Sequence, residues 1–332
     1  MAKITTGLVA GGLSALLIAC SPQDRSDGND SITNGGVASK LTEWNSSPYR
    51  CGQRSITWSD VNDWHYQLQK ADYEELADSQ YDLLVIDSEP LVRPNRNVID
   101  RLKCKDGNEK LLVSYLAIGQ AEEYRYYYQD DWEVGSPDWI VYPDLYWDGD
   151  YYVRYWEPEW RAILMGSPNS RVDRIIDAGF DGVYLDTIDG YTFFEADYPN
   201  AIDEMQRLVR DIANYARAKS GNPNFGVFVQ NAEELISVVG PEWVAPLTGI
   251  GKEEPFYWAM DDRVADDLRY WNNLYLGQWV DAGKLVLSVD YVTTEANRQD
   301  ALADARAQGF VPLMISDKAL DRMDSFPDHQ PD

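Results

Sequence analysis

The sequence predicts one α/β domain folded as a (β/α)8 TIM barrel, and three observations lead to this prediction. Eight short, continuous apolar runs recur along the chain, as expected of parallel strands that are buried on both faces. Helical stretches separate the runs, and this alternation favours a parallel sheet. About 290 residues follow the N-terminal leader and a polar segment, a normal length for one barrel. No Gly-x-Gly-x-x-Gly motif follows the first run, which disfavours an open dinucleotide-binding sheet.

The first 45 residues predict export and a tether rather than a part of the barrel. Residues 1–20 contain an apolar run from Gly7 to Ala19, which is too short to span a bilayer and is typical of a signal peptide. The ending Leu17-Ile18-Ala19-Cys20 resembles a lipobox. We therefore expect a bacterial cell-envelope lipoprotein, lipidated at Cys20 and membrane-anchored in the periplasm or at the cell surface; an ordinary secreted protein is the alternative. Residues 21–45 predict a flexible tether, 46–322 the barrel domain and 323–332 a polar tail.

The eight predicted strands follow the apolar runs in chain order. They cover Trp64–Leu68, Tyr81–Asp87, Leu111–Leu116, Gly182–Asp186, Phe225–Gln230, Thr248–Glu253, Leu285–Asp290 and Val311–Ile315. Between the strands, Asn200 and Thr294 are expected to cap helices, and Ser170 with Asp173 resembles a capping box. Gly179 is expected to end the helix that Ser170 begins.

One segment departs from this alternation. From Glu122 to Trp160 the chain is rich in Tyr, Trp and Asp and poor in aliphatic residues, which predicts a long aromatic loop after the third strand. Loops of this length without secondary structure are usually functional. We expect this loop to form a lid or a wall of a binding cleft.

Composition restricts the partners of the protein. The net charge of −27 disfavours nucleic acid as a partner, because a polyanion would be repelled. The charge indicates either solubility alone or attraction of a cationic substrate. The 22 Tyr and 12 Trp residues are unusual for a core and present flat apolar faces with a polar group, on which sugar rings can stack.

Apart from Cys20, the chain has two cysteines, Cys51 and Cys104. In an exported protein such a pair predicts one disulfide, with two free thiols as the alternative. With two His and no Cys cluster, we expect no metal site and no cofactor, which also disfavours a metal-dependent deacetylase.

Polar residues follow nearly every predicted strand, on the rim where barrel enzymes place their chemistry. Asp186 and Glu253 are the predicted catalytic pair, because two carboxylates from two strand ends can together cleave a glycosidic bond. Burial is expected to raise the pKa of Asp186, as a general acid needs, while Glu253 would act as base or nucleophile. Glu254 is the alternative to Glu253. The predicted substrate-binding residues are Gln67, Asp87, Tyr115, Trp156, Asp189, Asn231, Glu254, Tyr257 and Asp290.

A serine or cysteine nucleophile finds no support in the sequence. There is no Gly-x-Ser-x-Gly motif, and the two histidines, His65 and His329, are poorly placed as bases. His65 lies inside the first predicted strand and is expected to be a packed core residue. His329 lies in the polar tail.

Five motifs together are typical of one known family. They are Trp64-His65-Tyr66-Gln67-Leu68, Leu83-Leu84-Val85-Ile86-Asp87, Val113-Ser114-Tyr115, Gly179-Phe180-Asp181-Gly182-Val183-Tyr184-Leu185-Asp186 and Phe225-Gly226-Val227-Phe228-Val229-Gln230-Asn231. With these motifs the chain resembles glycoside hydrolase family 114, the endo-α-1,4-polygalactosaminidase family, from about residue 60 to about residue 320.

The resemblance implies a (β/α)8 barrel with catalytic acids at the ends of the fourth and sixth strands, which here match Asp186 and Glu253. It also implies a partly deacetylated, cationic galactosamine polymer as substrate. The chain departs from the family at Leu185-Asp186-Thr187-Ile188-Asp189, where characterised members have Asp-Pro-Asp-Asn, and at Lys252-Glu253-Glu254-Pro255, where they have Asn-Glu-Gln-Cys. The sugar, the linkage, endo or exo action and the stereochemical course stay open.

The sequence thus supports an exported glycoside hydrolase that cleaves an amino-sugar polysaccharide with two carboxylates. The alternative is a non-catalytic surface lipoprotein that binds polysaccharide with the same barrel. The presence of both acids favours the enzyme.

Overall fold

The computed structural model describes residues 51–52, 55–89 and 96–323. The predicted signal peptide with its lipidation site at Cys20, the tether over 21–45 and the tail after residue 323 lie outside the described residues. Within the described ranges, no helix is long and apolar enough to cross a membrane.

Eight parallel strands form one sheet in chain order, each paired with the next. They are β1 (Trp64–Gln67), β2 (Leu83–Ile86), β3 (Leu111–Ala117), β4 (Gly182–Asp186), β5 (Gly226–Gln230), β6 (Gly249–Glu253), β7 (Leu285–Tyr291) and β8 (Val311–Ile315). The indole Nε1 of Trp64 in β1 donates a hydrogen bond to the carbonyl oxygen of Val311 in β8 at 3.0 Å. The sheet therefore curves into a nearly closed barrel, which confirms the predicted fold class.

Helices connect the strands and cover the outside of the sheet. They are α1 (Tyr73–Asp78), α2 (Arg96–Leu102), α3 (Pro158–Leu164), α4 (Arg171–Ala178), α5 (Ala201–Ser220), α6 (Leu235–Val239), α7 (Asp266–Asp281) and α8 (Glu295–Ala307). Short 3₁₀ segments lie at Trp58–Asp60, Ile188–Phe193 and Pro241–Val244.

All four predicted helix-end residues lie at helix ends, but Asn200 and Ser170 make no side-chain cap hydrogen bond at their N-cap positions. Thr294 caps α8 by accepting a hydrogen bond from the backbone N–H of Asn297, and Gly179 ends α4 in the left-handed conformation at φ 102°. Asn200 makes no side-chain cap on α5. The hydroxyl of Ser170 donates to the carboxylate of Asp173 at 2.5 Å instead of accepting from the backbone.

Side-chain alternation along the strands separates two apolar clusters. One cluster fills the barrel interior and is built around Trp64, Tyr66, Leu83, Val85, Val113, Tyr184, Phe228, Leu287, Val289 and Leu313. The other lies between the sheet and the helices, where Ile86, Leu112, Val183, Val227, Ile250 and Met314 pack. The inward-facing positions at the carboxyl ends of the strands therefore decide which residues line a site.

The interior aromatic rings need close backbone approach on β6. A Cβ atom on Gly251 would lie 1.5 Å from the hydroxyl oxygen of Tyr184, and one on Gly249 would lie 2.8 Å from the ring of Phe228. Glycine at these two positions leaves room for two large rings in the barrel.

The segment from Glu122 to Trp160 is ordered rather than a structureless loop, so that part of the prediction is wrong. Strands at Gln120–Glu122, Ile140–Pro143 and Asp150–Val153 form an antiparallel sheet. The rings of Trp132 and Trp139 lie 4.9 Å apart, and those of Trp139 and Trp160 lie 5.4 Å apart. Aromatic rings bury enough area to order this insertion without many aliphatic residues.

A disulfide joins Cys51 to Cys104, with an S–S distance of 2.05 Å. It ties the chain ahead of β1 to a short strand, Cys104–Lys105, that follows α2. The pairing is the one expected from the cysteine count of the sequence.

Candidate active site

Asp186 and Glu253 end two strands on the same rim of the barrel. Asp186 is the last residue of β4 and Glu253 is the last residue of β6, with β5 between these strands. Both side chains occupy inward-facing positions, two residues after Tyr184 and Gly251 respectively. Two strand spacings separate their backbones, roughly 10 Å, so carboxylates that lean towards each other can flank one glycosidic bond.

The carboxylate of Asp186 is held by two donors. Tyr115 donates its hydroxyl to Oδ2 at 2.6 Å, and the backbone N–H of Thr187 donates to Oδ1 at 2.7 Å. Burial raises the pKa of Asp186 to about 7; the hydrogen bond from Tyr115 opposes this rise and the charge of Glu253 adds to it. Near neutral pH a large fraction of Asp186 therefore carries the proton that a general acid has to deliver.

The turn after Asp186 depends on a close contact between two loops. Thr187 has a φ of 60°, and its side-chain oxygen accepts a hydrogen bond from the backbone N–H of Gly119 at 2.7 Å. A Cβ atom on Gly119 would lie 2.4 Å from the carbonyl oxygen of Thr187. The glycine after β3 thus allows the turn that orients Asp186.

The carboxylate of Glu253 accepts hydrogen bonds on both oxygens. Tyr291 donates to Oε1 at 2.6 Å, while Gln230 donates to Oε2 at 2.6 Å and Asn231 at 3.4 Å. The amide of Gln230 is oriented in turn by the hydroxyl of Tyr66, which donates to its oxygen at 2.9 Å. These donors fix the direction of the Glu253 carboxylate, as a base or nucleophile requires.

Buried tyrosines form the floor below the two acids. Burial, followed by the charges of Glu253 and Asp186, raises the pKa of the Tyr184 hydroxyl well above its usual value. That hydroxyl has no hydrogen-bond partner among the described residues. It therefore stays protonated and can donate a hydrogen bond.

An aromatic wall stands beside Asp186. The rings of Tyr152 and Phe193 stack with centroids 3.7 Å apart, and Phe193 is 41% exposed. A Cβ atom on Gly190 would lie 3.7 Å from the Cα of Gly119 and 3.9 Å from the Tyr152 ring, so these loops converge. The aromatic insertion therefore contributes a wall close to the strand end that carries Asp186.

Acidic groups also flank the rim. Asp189 lies three residues after Asp186 and is exposed. Nearby, the ammonium of Lys252 is paired with Glu233 at 3.0 Å, and the hydroxyl of Tyr191 donates to Glu234 at 2.9 Å. Burial and the charge of Glu233 raise the pKa of Glu234. The one cation in this group is thus neutralised, and the flank remains acidic.

The structure places some of the predicted substrate-binding residues at the two acids and others nearby. Tyr115 contacts Asp186 and Asn231 contacts Glu253, while Asp189 lies on the adjoining rim. Asp87 binds the buried guanidinium of Arg125 at 2.7 and 2.9 Å, and Arg125 also binds Glu122. This cluster ties the β2 end to the aromatic insertion.

Gln67 and Asp290 are not placed at the site. Gln67 directly follows the inward-facing Tyr66, and Asp290 directly precedes the inward-facing Tyr291, so both side chains point outward from the barrel. Both are almost completely buried. Gln67 donates to the carbonyl oxygen of Gln69, and Asp290 accepts from the backbone N–H groups of Phe256 and Tyr257. Burial also raises the pKa of Asp290 to about 7, but this acid stabilises the loop after β6.

Tyr257 and Trp156 are engaged by neighbouring side chains. The hydroxyl of Tyr257 donates to Asp300 at 2.7 Å, and the guanidinium of Arg263 lies 4.9 Å from its ring centre. Trp156 stacks on Tyr198 with centroids 4.4 Å apart. Neither contacts Asp186 or Glu253 in the described structure.

Glu254 does not have the surroundings of a catalytic base. It is 5% exposed, pairs with Lys318 at 2.5 Å and accepts a hydrogen bond from the backbone N–H of Ala259 at 2.8 Å. The structure therefore favours Glu253 over the alternative, because the carboxylate of Glu254 is committed to a buried ion pair.

Sequence reasoning missed several residues of the site. The predicted site residues do not include Tyr66, Tyr184, Gln230 or Tyr291. A signal for Tyr184 exists in the sequence, since it lies two residues before Asp186 in a strand and so shares its face. Tyr152 lies in the insertion, where the sequence carries no strand period that assigns a face.

Among the described residues, no group of three or more His, Cys, Asp or Glu side chains is arranged to hold a metal ion. His65 lies in β1, fully buried, and its ring stacks against Tyr81 at 5.2 Å. The site therefore consists of carboxylates, amides and aromatic hydroxyls.

Comparison with known proteins identifies the family. The model of glycoside hydrolase family GH114 matches residues 49–331. The chain belongs to this family. It is therefore a glycosidase, an enzyme that hydrolyses glycosidic bonds.

Relatives in other organisms match along most of the chain. An uncharacterised protein of Methanocaldococcus jannaschii is 33% identical over 279 residues, 79% of this chain and 78% of that protein. An uncharacterised protein of Thermotoga maritima is 30% identical over 284 residues, 81% of this chain and 85% of that protein.

Solved structures share the fold. The glycoside hydrolase domain of PelA from Pseudomonas aeruginosa has 18% identity and a TM-score of 0.58, covering 79% of this chain and 97% of that one. Aspergillus fumigatus Ega3, solved in complex with galactosamine, has 16% identity and a TM-score of 0.52, covering 81% of this chain and 95% of that one.

Proposed function

We propose that this glycosidase cleaves an amino-sugar polysaccharide, in the manner of an endo-α-1,4-polygalactosaminidase, with Asp186 as general acid and Glu253 as base or nucleophile. The observation that carries the proposal is the contrast between the two carboxyl groups. Asp186 is half-buried, with a pKa raised to about 7, whereas Glu253 accepts hydrogen bonds from Tyr291 and Gln230 on its two oxygens. Two carboxyl groups in unlike environments can take unlike roles in one reaction.

In the proposed reaction Asp186 transfers its proton to the glycosidic oxygen as the bond between that oxygen and the anomeric carbon breaks. Glu253 either removes a proton from the water that attacks the anomeric carbon or attacks that carbon itself. In the second course, water then hydrolyses the glycosyl ester, and Asp186 takes the proton of this water. The second course leaves Asp186 protonated again. The first course leaves Asp186 ionised and Glu253 protonated, and proton exchange with water restores both groups before the next cycle.

The charge of the protein supports an amino sugar as substrate. An ammonium group on the polymer would be attracted by the net charge of −27 and by the acidic flank at Asp189 and Glu234. The similar structure of Ega3 was solved with galactosamine, which supports the same class of sugar. Tyr152 and Phe193 offer stacking surfaces beside the acids.

The test is a reducing-end assay on galactosamine and glucosamine polymers, each acetylated and deacetylated, with mass spectrometry of the products. Asp186→Asn and Glu253→Gln should each lower kcat at least about 100-fold, the low end for positioned acid–base groups. Asp290→Asn is the matched control, because the pKa of Asp290 is likewise raised to about 7 but its side chain lies outside the barrel interior. Unchanged turnover by Asp186→Asn would contradict the mechanism, and binding without cleavage by the parent would favour the non-catalytic lipoprotein.

We further propose that the protein is exported and anchored through a lipid on Cys20. The support is the apolar run that ends at Leu17-Ile18-Ala19-Cys20. Cys20→Ala should release the protein from the membrane fraction or stall its processing. Unchanged membrane association of this variant would contradict the anchor.

A further inference from the structure

Helix α7 carries an aromatic surface that the barrel leaves exposed. Among its sixteen residues, only Leu276 and Trp279 are buried. Tyr270, Trp271 and Leu274 are 61%, 49% and 41% exposed, and their spacing places them on one face of the helix. We call these three residues, together with Tyr275, the α7 platform.

The rings of the α7 platform hold one another in place. Trp271 stacks on Tyr275 with centroids 5.8 Å apart and an angle of 25° between the planes. Tyr270 meets Trp271 edge to face at 5.4 Å. Rings that are already fixed lose little conformational entropy when a ligand covers them, so the platform is prepared for stacking.

The surroundings of the platform are acidic. Asp267 lies three and four residues before Tyr270 and Trp271, on the same face, and is exposed. The side chain of Asp266 is 95% exposed and pairs with Arg269, the one basic residue of the helix. A ligand on the platform therefore meets flat apolar rings next to carboxylates.

These properties argue against a second copy of the chain, nucleic acid or an anionic membrane as the occupant. Each of these partners carries negative charge, and a second copy would bring another −27. The exposed parts of the four side chains come to a few hundred Å², well below the roughly 800 Å² that each partner buries in a standard interface. A cationic ligand with flat apolar faces fits the platform better.

We propose that the α7 platform is a second binding site for the cationic amino-sugar polymer, separate from the cleft; the identity of the polymer rests on the proposed function. The pyranose rings would lie on Trp271 and Tyr270, and the ammonium groups would face Asp267. Neutral sugar units would gain the stacking but not the charge attraction. The site would hold polymer and would take no part in the bond cleavage.

The position of the platform suits this role. After β6 with Glu253, the chain forms a short hairpin and then begins α7, so the helix starts near the rim that carries the acids. Tyr270 and Trp271 are its fifth and sixth residues, about 6 to 8 Å along the helix axis from its start. A polymer held there has its free segments close to the cleft, which raises their local concentration.

The test compares binding in an Asp186→Asn background, where the polymer is not consumed. Retention on immobilised, partly deacetylated galactosamine polymer should weaken about tenfold when Tyr270→Ala and Trp271→Ala are combined, since two stacking contacts are lost. The single variant Trp271→Phe keeps an aromatic ring at this position and should therefore keep most of the retention of the Asp186→Asn parent. Val238→Ala, which removes another exposed apolar side chain, should leave retention unchanged.

A second measurement uses the active chain. The double variant should lose activity on the polymer several-fold and keep its kcat/KM on short oligomers, because the cleft is intact. Equal retention of the double variant and its parent on the immobilised polymer would overturn the proposal. A smaller particle mass of the double variant in light scattering would also overturn it, because that result would assign the platform to self-association. If the unsubstituted protein is retained on the polymer but releases no reducing ends from it, the proposed function fails while the proposal for the α7 platform stands.

Discussion

Asp186 and Asp290 have similarly raised pKa values but different surroundings, because they lie on opposite faces of their strands. Burial raises the pKa of both Asp186 and Asp290 to about 7. Asp186 points into the barrel at the rim, where a substrate can reach it, whereas Asp290 points outward and accepts backbone N–H groups. A raised pKa therefore indicates a candidate acid only together with its position in the fold.

The pKa of Asp186 predicts the alkaline limb of the pH profile. In the proposed mechanism the protonated form of Asp186 is the active one, so kcat/KM should fall as pH rises through about 7. The hydrogen bond from Tyr115 lowers this pKa, so Tyr115→Phe should move the limb to higher pH. Asp290→Asn should leave it in place. A limb that moves to lower pH in Tyr115→Phe would contradict the assignment.

The hydroxyl of Tyr291 is expected to orient Glu253. Tyr291→Phe removes the donor to Oε1 and should lower kcat about 10- to 100-fold, since a hydrogen bond to a charged group contributes about 1.5–3 kcal/mol. The matched control is Tyr257→Phe, which removes a hydroxyl that binds Asp300 away from the two acids. Steady-state kinetics of the two variants decide this: equal losses in both would show a general effect on the fold rather than on Glu253.

At the scale of the elements, β6 and the aromatic insertion shape the site. The glycines of β6 leave room for Tyr184 and Phe228 in the barrel, and the insertion brings Tyr152 next to the turn after β4. The insertion is held to the barrel through Arg125, which binds Asp87 directly after β2 and Glu122 on the insertion. Its wall is therefore fixed relative to Asp186 rather than attached by a free loop.

Gly251→Ala should destabilise the protein, because the added Cβ would overlap the hydroxyl of Tyr184. Overpacking of this kind typically costs about 1–3 kcal/mol, and this contact is tight enough for the upper end. Gly277→Ala in α7 is the control; nothing lies within 4 Å of the added atom, and alanine should stabilise the helix by about 0.5–1 kcal/mol. Urea denaturation of both variants measures this. A stable Gly251→Ala protein would show that Tyr184 can move aside.

At the scale of the whole molecule, the net charge of −27 creates a field that acts before any contact forms. Such a field draws in a polycation and repels polyanions. The local acids of the cleft and of the α7 platform lie within this field. Affinity for an amino-sugar polymer would therefore have a long-range part that salt can screen and a contact part that salt changes little.

A salt titration separates these parts. The screening length falls from about 10 Å at 0.1 M salt to about 3 Å at 1 M, so kcat/KM on a deacetylated polymer should fall as salt rises. An acetylated polymer, which carries few ammonium groups, should show a much weaker dependence and serves as the control. Parallel salt curves for the two polymers would show that the acidity serves solubility alone.

Local patterns in the sequence determined the barrel and the pair of acids. Strands buried on both faces are continuous apolar runs, so β4 and β7 can be recognised without knowledge of their neighbours. Asp186 and Glu253 follow such runs, and the strand ends of a parallel barrel share one rim. The sequence could likewise indicate the pairing of Cys51 with Cys104, since no other cysteine follows Cys20.

Only the tertiary structure decided which polar residues face the cleft and which are paired elsewhere. Gln67 and Asp290 end apolar runs as Asp186 does, but the strand register turns them outward. Glu254 differs from Glu253 through Lys318, a partner 64 positions away in the chain. These outcomes depend on contacts between distant segments, and a one-residue difference in a strand reverses the face of a side chain.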